Sequence, residues 1–244
     1  MNNMVLKQGS FEFNLFFILT IFVLIVKGLL TIYLGFESYK RNKQRDEFKV
    51  DFMMGVFILM LCLFISRFLY MIFDFYLTTF DPSLYIQTPN LEIWKIASLI
   101  GSLGGVVVIF VADKRILNFR LKGIIAYILL IITIINFVYP INSKADFNLV
   151  SGLGALKLLS MLIIPAIFFY LGIKIPGLRR TAFLVGFGII IYLIGAISVS
   201  EFILAPIREM FKDVGQITVL FIFFVSKTVG LSMASYGVTQ FVGI

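Results

Sequence analysis

The chain has 244 residues, of which 60% are hydrophobic and 14% charged, with 28 phenylalanines and a formal net charge of +8. A soluble domain of this size could not cover so much apolar surface with so few polar groups. The surplus charge is no sign of nucleic-acid binding, because the basic residues gather in short loops on one side of a series of apolar runs.

The absence of histidine removes histidine-ligated zinc, bis-histidine haem, Ser-His nucleophiles and imidazole relays together. Cys62 is the only cysteine, so there is no intrachain disulfide and no CxxC site, and it reads as a small buried hydrophobe.

Several apolar runs reach about 20 residues, the length at which a helix crosses ~30 Å of hydrocarbon. They predict an all-α, polytopic membrane protein whose surroundings are a lipid bilayer. One domain over residues 1–244 would form a bundle of seven transmembrane helices. The spans fall at about 13–36, 52–77, 94–112, 123–140, 149–173, 182–205 and 216–240.

The first run is too long for a cleaved signal peptide and lacks a small-residue cleavage pattern, so it counts as a span. Its Lys27 lies about 21 Å from the outer end, close enough to the cytoplasmic headgroups to snorkel as an anchor. In the second span, RFLYMIFD puts Arg67, Tyr70, Met71 and Asp74 on one helical face. DPSLYIQTPNLEIW, ending at Trp94, reads as an external turn with an interfacial tryptophan.

Span 3 opens SLIGSLGG, a stripe of small residues (Ser98, Gly101, Ser102, Gly105) suited to close helix packing. Span 5 carries Lys157 in VSGLGALK, which has serine and glycines but no base to activate a nucleophile. Pro165 and Pro206 are expected to kink or end their helices, and IPGLRR at 175–180 reads as a stop followed by a basic pair. Glu201 closes span 6. In span 7, FIFFVSKTVGLSMASYG sets Lys227 beside a stripe of Ser226, Gly230 and Ala234, which should turn it into the bundle.

Twelve lysines and arginines fall in the loops after spans 1, 3 and 5, against five on the other side. That bias predicts an external N-terminus and a cytoplasmic C-terminus.

Arg67, Asp74, Lys157, Glu201 and Lys227 then occupy the outer half of the membrane, where charges face the bundle interior and find partners. Three cations would meet two anions, so either one lysine loses its proton or the cluster receives a negative group from outside the chain. The expected site is an outward-facing cavity lined by Arg67, Tyr70, Asp74, Lys157, Glu201 and Lys227. Its ligand would be a small anion, a carboxylate or a lipid headgroup. No catalytic constellation, metal-ligand set or cofactor motif is found, so no enzyme and no cofactor are expected.

Seven helices with an external N-terminus and a lysine midway along the last resemble a microbial rhodopsin, whose lysine carries retinal. The chain departs from that family at Phe223, where an acid is expected one turn before the lysine. Its span 3 has no carboxylate before Asp113, and Trp94 is its only tryptophan. These departures argue against retinal.

The layout is also similar to the seven-transmembrane sensory regions that precede prokaryotic histidine kinases. That resemblance implies a sensor or receptor acting through a cytoplasmic or membrane signalling partner, in a prokaryotic inner membrane. The alternatives are a small-solute transporter or channel, in which GFG at 186–188 would break span 6, and a structural or accessory subunit whose charges pin helices together.

Overall fold

The computed structural model describes residues 8–44, 50–198 and 201–241, with side chains at all of these except 155, 156, 158 and 201–216. Every regular element among them is helical: α1 (Phe11–Gln44), α2 (Phe52–Met71) running on as a π-helix (Ile72–Leu77), α3 (Asn90–Arg115), α4 (Ile124–Val138), α5 (Lys144–Met161), α6 (Ile163–Lys174), a 3-10 turn (Pro176–Leu178), α7 (Arg179–Ser198) and α8 (Glu201–Phe241).

Among the described residues, six helical stretches are long and apolar enough to cross a membrane: Phe11–Gln44, Phe52–Leu77, Asn90–Arg115, Lys144–Lys174, Pro176–Ser198 and Ile217–Phe241. Large apolar side chains such as Ile32, Phe36, Ile131 and Ile173 point outward, as a lipid environment requires. The molecule is an all-helical membrane protein. The fourth expected span is the 15-residue α4, which rises only about 22 Å.

The chain forms two compact units. One holds Lys27–Ile163; the other combines α1 up to Val26 with everything from Ile164 onward.

The first unit is a succession of antiparallel pairs, each kept in a single register. α1 meets α2 where Gly28 faces Phe64 and Gly35 faces Phe57, and Ser38 Oγ donates to Met54 Sδ at 3.6 Å. α2 meets α3 where Gly55 faces Val111, Cys62 faces Gly104 and Ser66 faces Gly101. A Cβ on Gly104 would lie 2.7 Å from that of Cys62, so the cysteine is a packing residue at a close crossing.

At one end Ile141, Phe147 and Val150 form a small core covered by Tyr85, Leu91, Trp94 and Tyr139, and the Trp94 and Phe147 rings stand 4.8 Å apart. Thus Trp94 packs against aromatic neighbours. α5 starts five residues before the expected 149, because Ser143 and Asp146 form a reciprocal cap over its first turn.

The second unit is centred on the α7–α8 pair. A Cβ on Gly230 would lie 2.5 Å from the amide nitrogen of Tyr192, and one on Gly188 would lie 2.6 Å from that of Ala234. Gly195 and Gly237 repeat the contact one heptad further along each helix, against Ser226 and Val185. The Ser226–Gly230–Ala234 stripe is therefore a helix-packing surface. Phe169 fills the space over Gly186, and the α1 ring of Phe16 meets Phe223 edge-on at 5.6 Å.

Several expectations need correction. Glu201 falls in α8 (Glu201–Phe241), and residues 199 and 200, between it and α7, lie outside the described residues. Pro206 neither ends nor separates a helix. It lies within α8, which runs through it from Glu201 to Phe241. GFG at 186–188 does not break α7, and both Gly186 and Gly188 are used for contact. Pro165 does sit just beyond an interruption, with α5 ending at Met161 and α6 beginning at Ile163, and IPGLRR forms the expected stop.

Candidate functional site

The polar residues of the first unit are not scattered. Arg67 and Asp74 lie two turns apart on one face, and Arg67 Nη1 reaches Asp74 Oδ2 at 3.6 Å. Asp74 sits in the π-helix, whose wider turn closes where Thr78 N and Thr78 Oγ1 both donate to the Phe73 carbonyl, at 3.0 and 2.8 Å. The pair is direct, and both side chains keep partial solvent access (11% and 20%), so it is an ion pair at the edge of the packed interior.

One turn inward from Asp74 on the same face, the Tyr70 hydroxyl lies near Ser98 of α3. Lys157 Nζ of α5 donates to the same Ser98 Oγ at 3.0 Å, and Ser98 Oγ donates to Asn136 Oδ1 of α4 at 3.3 Å. A serine hydroxyl has one hydrogen and two lone pairs, so Ser98 can serve Lys157, Tyr70 and Asn136 at once. Asn136 is buried and passes the connection on, donating from Nδ2 to the Val150 carbonyl of α5 at 2.8 Å. Ser102 Oγ donates to the Ser98 carbonyl at 2.7 Å. Four helices thus meet at one hydroxyl.

Lys157 is half-buried, and no carboxylate among the described residues pairs with it. An ammonium group carries three donors, and Ser98 takes one. The remaining two suit an anionic oxygen. Among the described residues no group of three His, Cys, Asp or Glu side chains is assembled for a metal.

Of the residues singled out from sequence, Arg67, Tyr70, Asp74 and Lys157 fall in the first unit and are linked as above. Glu201 has no described side chain. Lys227 belongs to the second unit, where it is buried as expected, and its Nζ stands 4.2 Å from the Phe223 ring centre and 5.9 Å from that of Tyr192. An ammonium group over ring faces is attracted by their quadrupoles.

Two participants escaped the sequence reading. Asn136 carries a visible signal, since it is the one amide in IIAYILLIITIINFV and a lone amide in hydrocarbon needs a partner. Lys27 was read as a snorkelling anchor and is not one. Only 2% of it is exposed, and its Nζ donates to the Leu63 carbonyl of α2 at 3.1 Å, one turn from Arg67. Depth along the helix could not show this, because the azimuth of α1 points Lys27 at α2 and away from lipid. The chain matches no protein-family model, no curated protein sequence and no solved structure.

Proposed function

We propose that the chain is a membrane sensor or receptor module that binds a small carboxylate or other small anion at the Lys157 ammonium group, between α2, α3 and α5. What carries the reading is the Lys157–Ser98 contact: a half-buried cation held at 3.0 Å by a neutral hydroxyl, with two donors to spare. Tyr70 adds a hydroxyl beside it, and Asp74 holds Arg67 in place as a second cation of the site. An anion that draws Lys157 off Ser98 releases a node shared by α2, α3, α4 and α5, which is how occupancy would become helix movement. The π-helix at Ile72–Leu77 and the interruption after Met161 supply non-α joints on two of those helices.

The proposed topology is seven spans with the N-terminus outside and the C-terminus in the cytoplasm, in a prokaryotic inner membrane. It rests on the twelve-to-five lysine and arginine bias and on counting α4 as a span. α4 is apolar apart from Tyr127 and the buried Thr133 and Asn136, and it exposes Ile124, Ile128, Ile131, Ile134 and Val138; a bilayer accommodates a short helix by local thinning.

The test is thermal melting of the purified chain in nanodiscs with acetate, succinate or glutamate, paired with uptake of the same compounds into vesicles. A melting shift from at least one of them, lost in Lys157→Met and unaccompanied by uptake, is the expected result. No shift from any of the three, or a shift that survives Lys157→Met, overturns the site.

A second reading, transport, is favoured by the broken helix over Lys144–Lys174 next to Pro165, a feature of many carriers. Lys157-dependent uptake would establish it in place of the receptor.

A further inference from the structure

We propose that the α3–α4 turn is a built binding site for the phosphate headgroup of an anionic phospholipid. The turn is basic to an unusual degree: Lys114, Arg115, Arg120 and Lys122 fall within nine residues, and all four are exposed. The acid immediately before that stretch, Asp113, is 2% exposed and spends its carboxylate inward. Its Oδ1 accepts from Leu121 N at 3.0 Å and its Oδ2 from Gly123 N at 2.7 Å, while its carbonyl accepts from Phe119 N at 2.8 Å.

Around that internal carboxylate the backbone folds into a tight form. Asn118, Phe119, Lys122 and Gly123 all have positive φ, and Arg120 N and Lys122 N donate to the Leu117 and Phe119 carbonyls. Successive amides bent this way form a concave anion receptor, and here the chain's own aspartate occupies it. The acid is thereby neutralised at home, and the four cations are displayed outward on a fixed frame. Arg115 is steadied by donating from Nε to the Val50 carbonyl at 3.1 Å; the neighbouring acid Asp51 caps α2 through Met54 N.

The apolar half of the site decides between a lipid and a free phosphate. Phe119 is exposed and stands 6.0 Å from Phe110 on α3, and Tyr127 and Ile124 are exposed at the start of α4. Cations above and aromatic rings below the point where two apolar helices emerge match a lipid headgroup joined to its acyl chains. Free phosphate would leave the rings without an occupant.

Native mass spectrometry of the full chain in detergent tests this, with dioctanoyl-phosphatidylglycerol, dioctanoyl-phosphatidylcholine and inorganic phosphate as probes. Phosphatidylglycerol is expected to stay bound in preference to phosphatidylcholine. The fourfold change K114Q/R115Q/R120Q/K122Q should lower its retention about tenfold, while K40Q/R41Q/K43Q, on the basic end of α1, leaves it in place.

Asp113→Asn is the sharper probe, because it raises the net positive charge while removing the anion that shapes the turn. Weaker phosphatidylglycerol binding is expected. Unchanged or stronger binding would mean that charge alone acts, and would overturn the built site. Equal losses from the two multiple variants, no loss from the fourfold one, or full displacement by inorganic phosphate would overturn it as well. Melting of each variant without lipid separates lost binding from lost fold. None of these outcomes depends on the carboxylate site around Lys157.

Discussion

The described contacts around the interior cations differ between the two units. In the first, Lys27, Arg67 and Lys157 are held by oxygens: a carbonyl, a carboxylate and a hydroxyl. In the second, Lys227 stands on Phe223 and Tyr192, and the helices around it are drawn together by glycines at heptad spacing. Oxygen partners are directional and can be exchanged for those of a ligand. The proposed ligand site rests on the oxygen-held cations of the first unit.

The largest effect should come from spoiling the glycine contacts. Gly230→Leu forces a side chain into the Tyr192 backbone, and a loss of roughly 3 kcal/mol or more is expected, read as loss of folded protein in thermal melting. A variant that melts like the parent would show that the α7–α8 pair can be spread at little cost.

Next, Asp74→Leu removes the partner of Arg67 and should cost about 2 kcal/mol, below the range for fully buried pairs because both groups retain some solvent. Lys157→Met should be neutral or slightly stabilising, since it removes a charge from the interior and leaves Ser98 bonded to Asn136. If Lys157→Met were the more damaging of the two, Lys157 would be a structural pin and the contrast with Lys227 would collapse.

A double-mutant cycle on Lys227→Met and Phe223→Leu should give a coupling of about 1 kcal/mol, the range of a partly desolvated cation–π pair. Zero coupling would show that the Phe223 ring does not help to hold Lys227.

The smallest effect concerns pH. The amide of Ser83, assisted by its hydroxyl and by the charge of Lys144, holds the Asp81 carboxyl below its ordinary value. A carboxyl lowered on folding stabilises at pH values above its unfolded pKa of about 3.9 and loses that contribution as pH falls through the lowered folded value. Asp81→Asn should therefore flatten slightly the fall in melting temperature between pH 5 and 3, measured on the first unit's transition.

Much of the fold was legible because hydrocarbon imposes a simple pattern. The second span, expected at 52–77, matches Phe52–Leu77 to the residue. The failures share one cause: polarity marks where a chain leaves the membrane, which is a different event from the end of a helix. α8 continues through Glu201, Pro206, Arg208 and Lys212 because charged residues are good helix formers in water, so the expected boundary at 205–216 has no counterpart.

In the candidate site, one-helix relations such as Arg67, Tyr70 and Asp74 could be read from spacing. Relations between helices could not, since the meeting of Lys157 with Ser98 is fixed by packing register. Lys27 shows the same limit, because depth is readable from sequence and azimuth is not.

The π-helix at Ile72–Leu77 has a consequence of its own. A π turn is an α-helix that has accommodated one additional residue, with the chain on its far side rotated by about 100° relative to an uninterrupted helix. Asp74 lies within that accommodation. Deleting a single residue between Phe75 and Leu77 would let the helix return to ordinary geometry and would re-aim the turn leading to Asp81. Length variation here would act as a rotational setting on the entrance to the bundle, without altering one charged side chain.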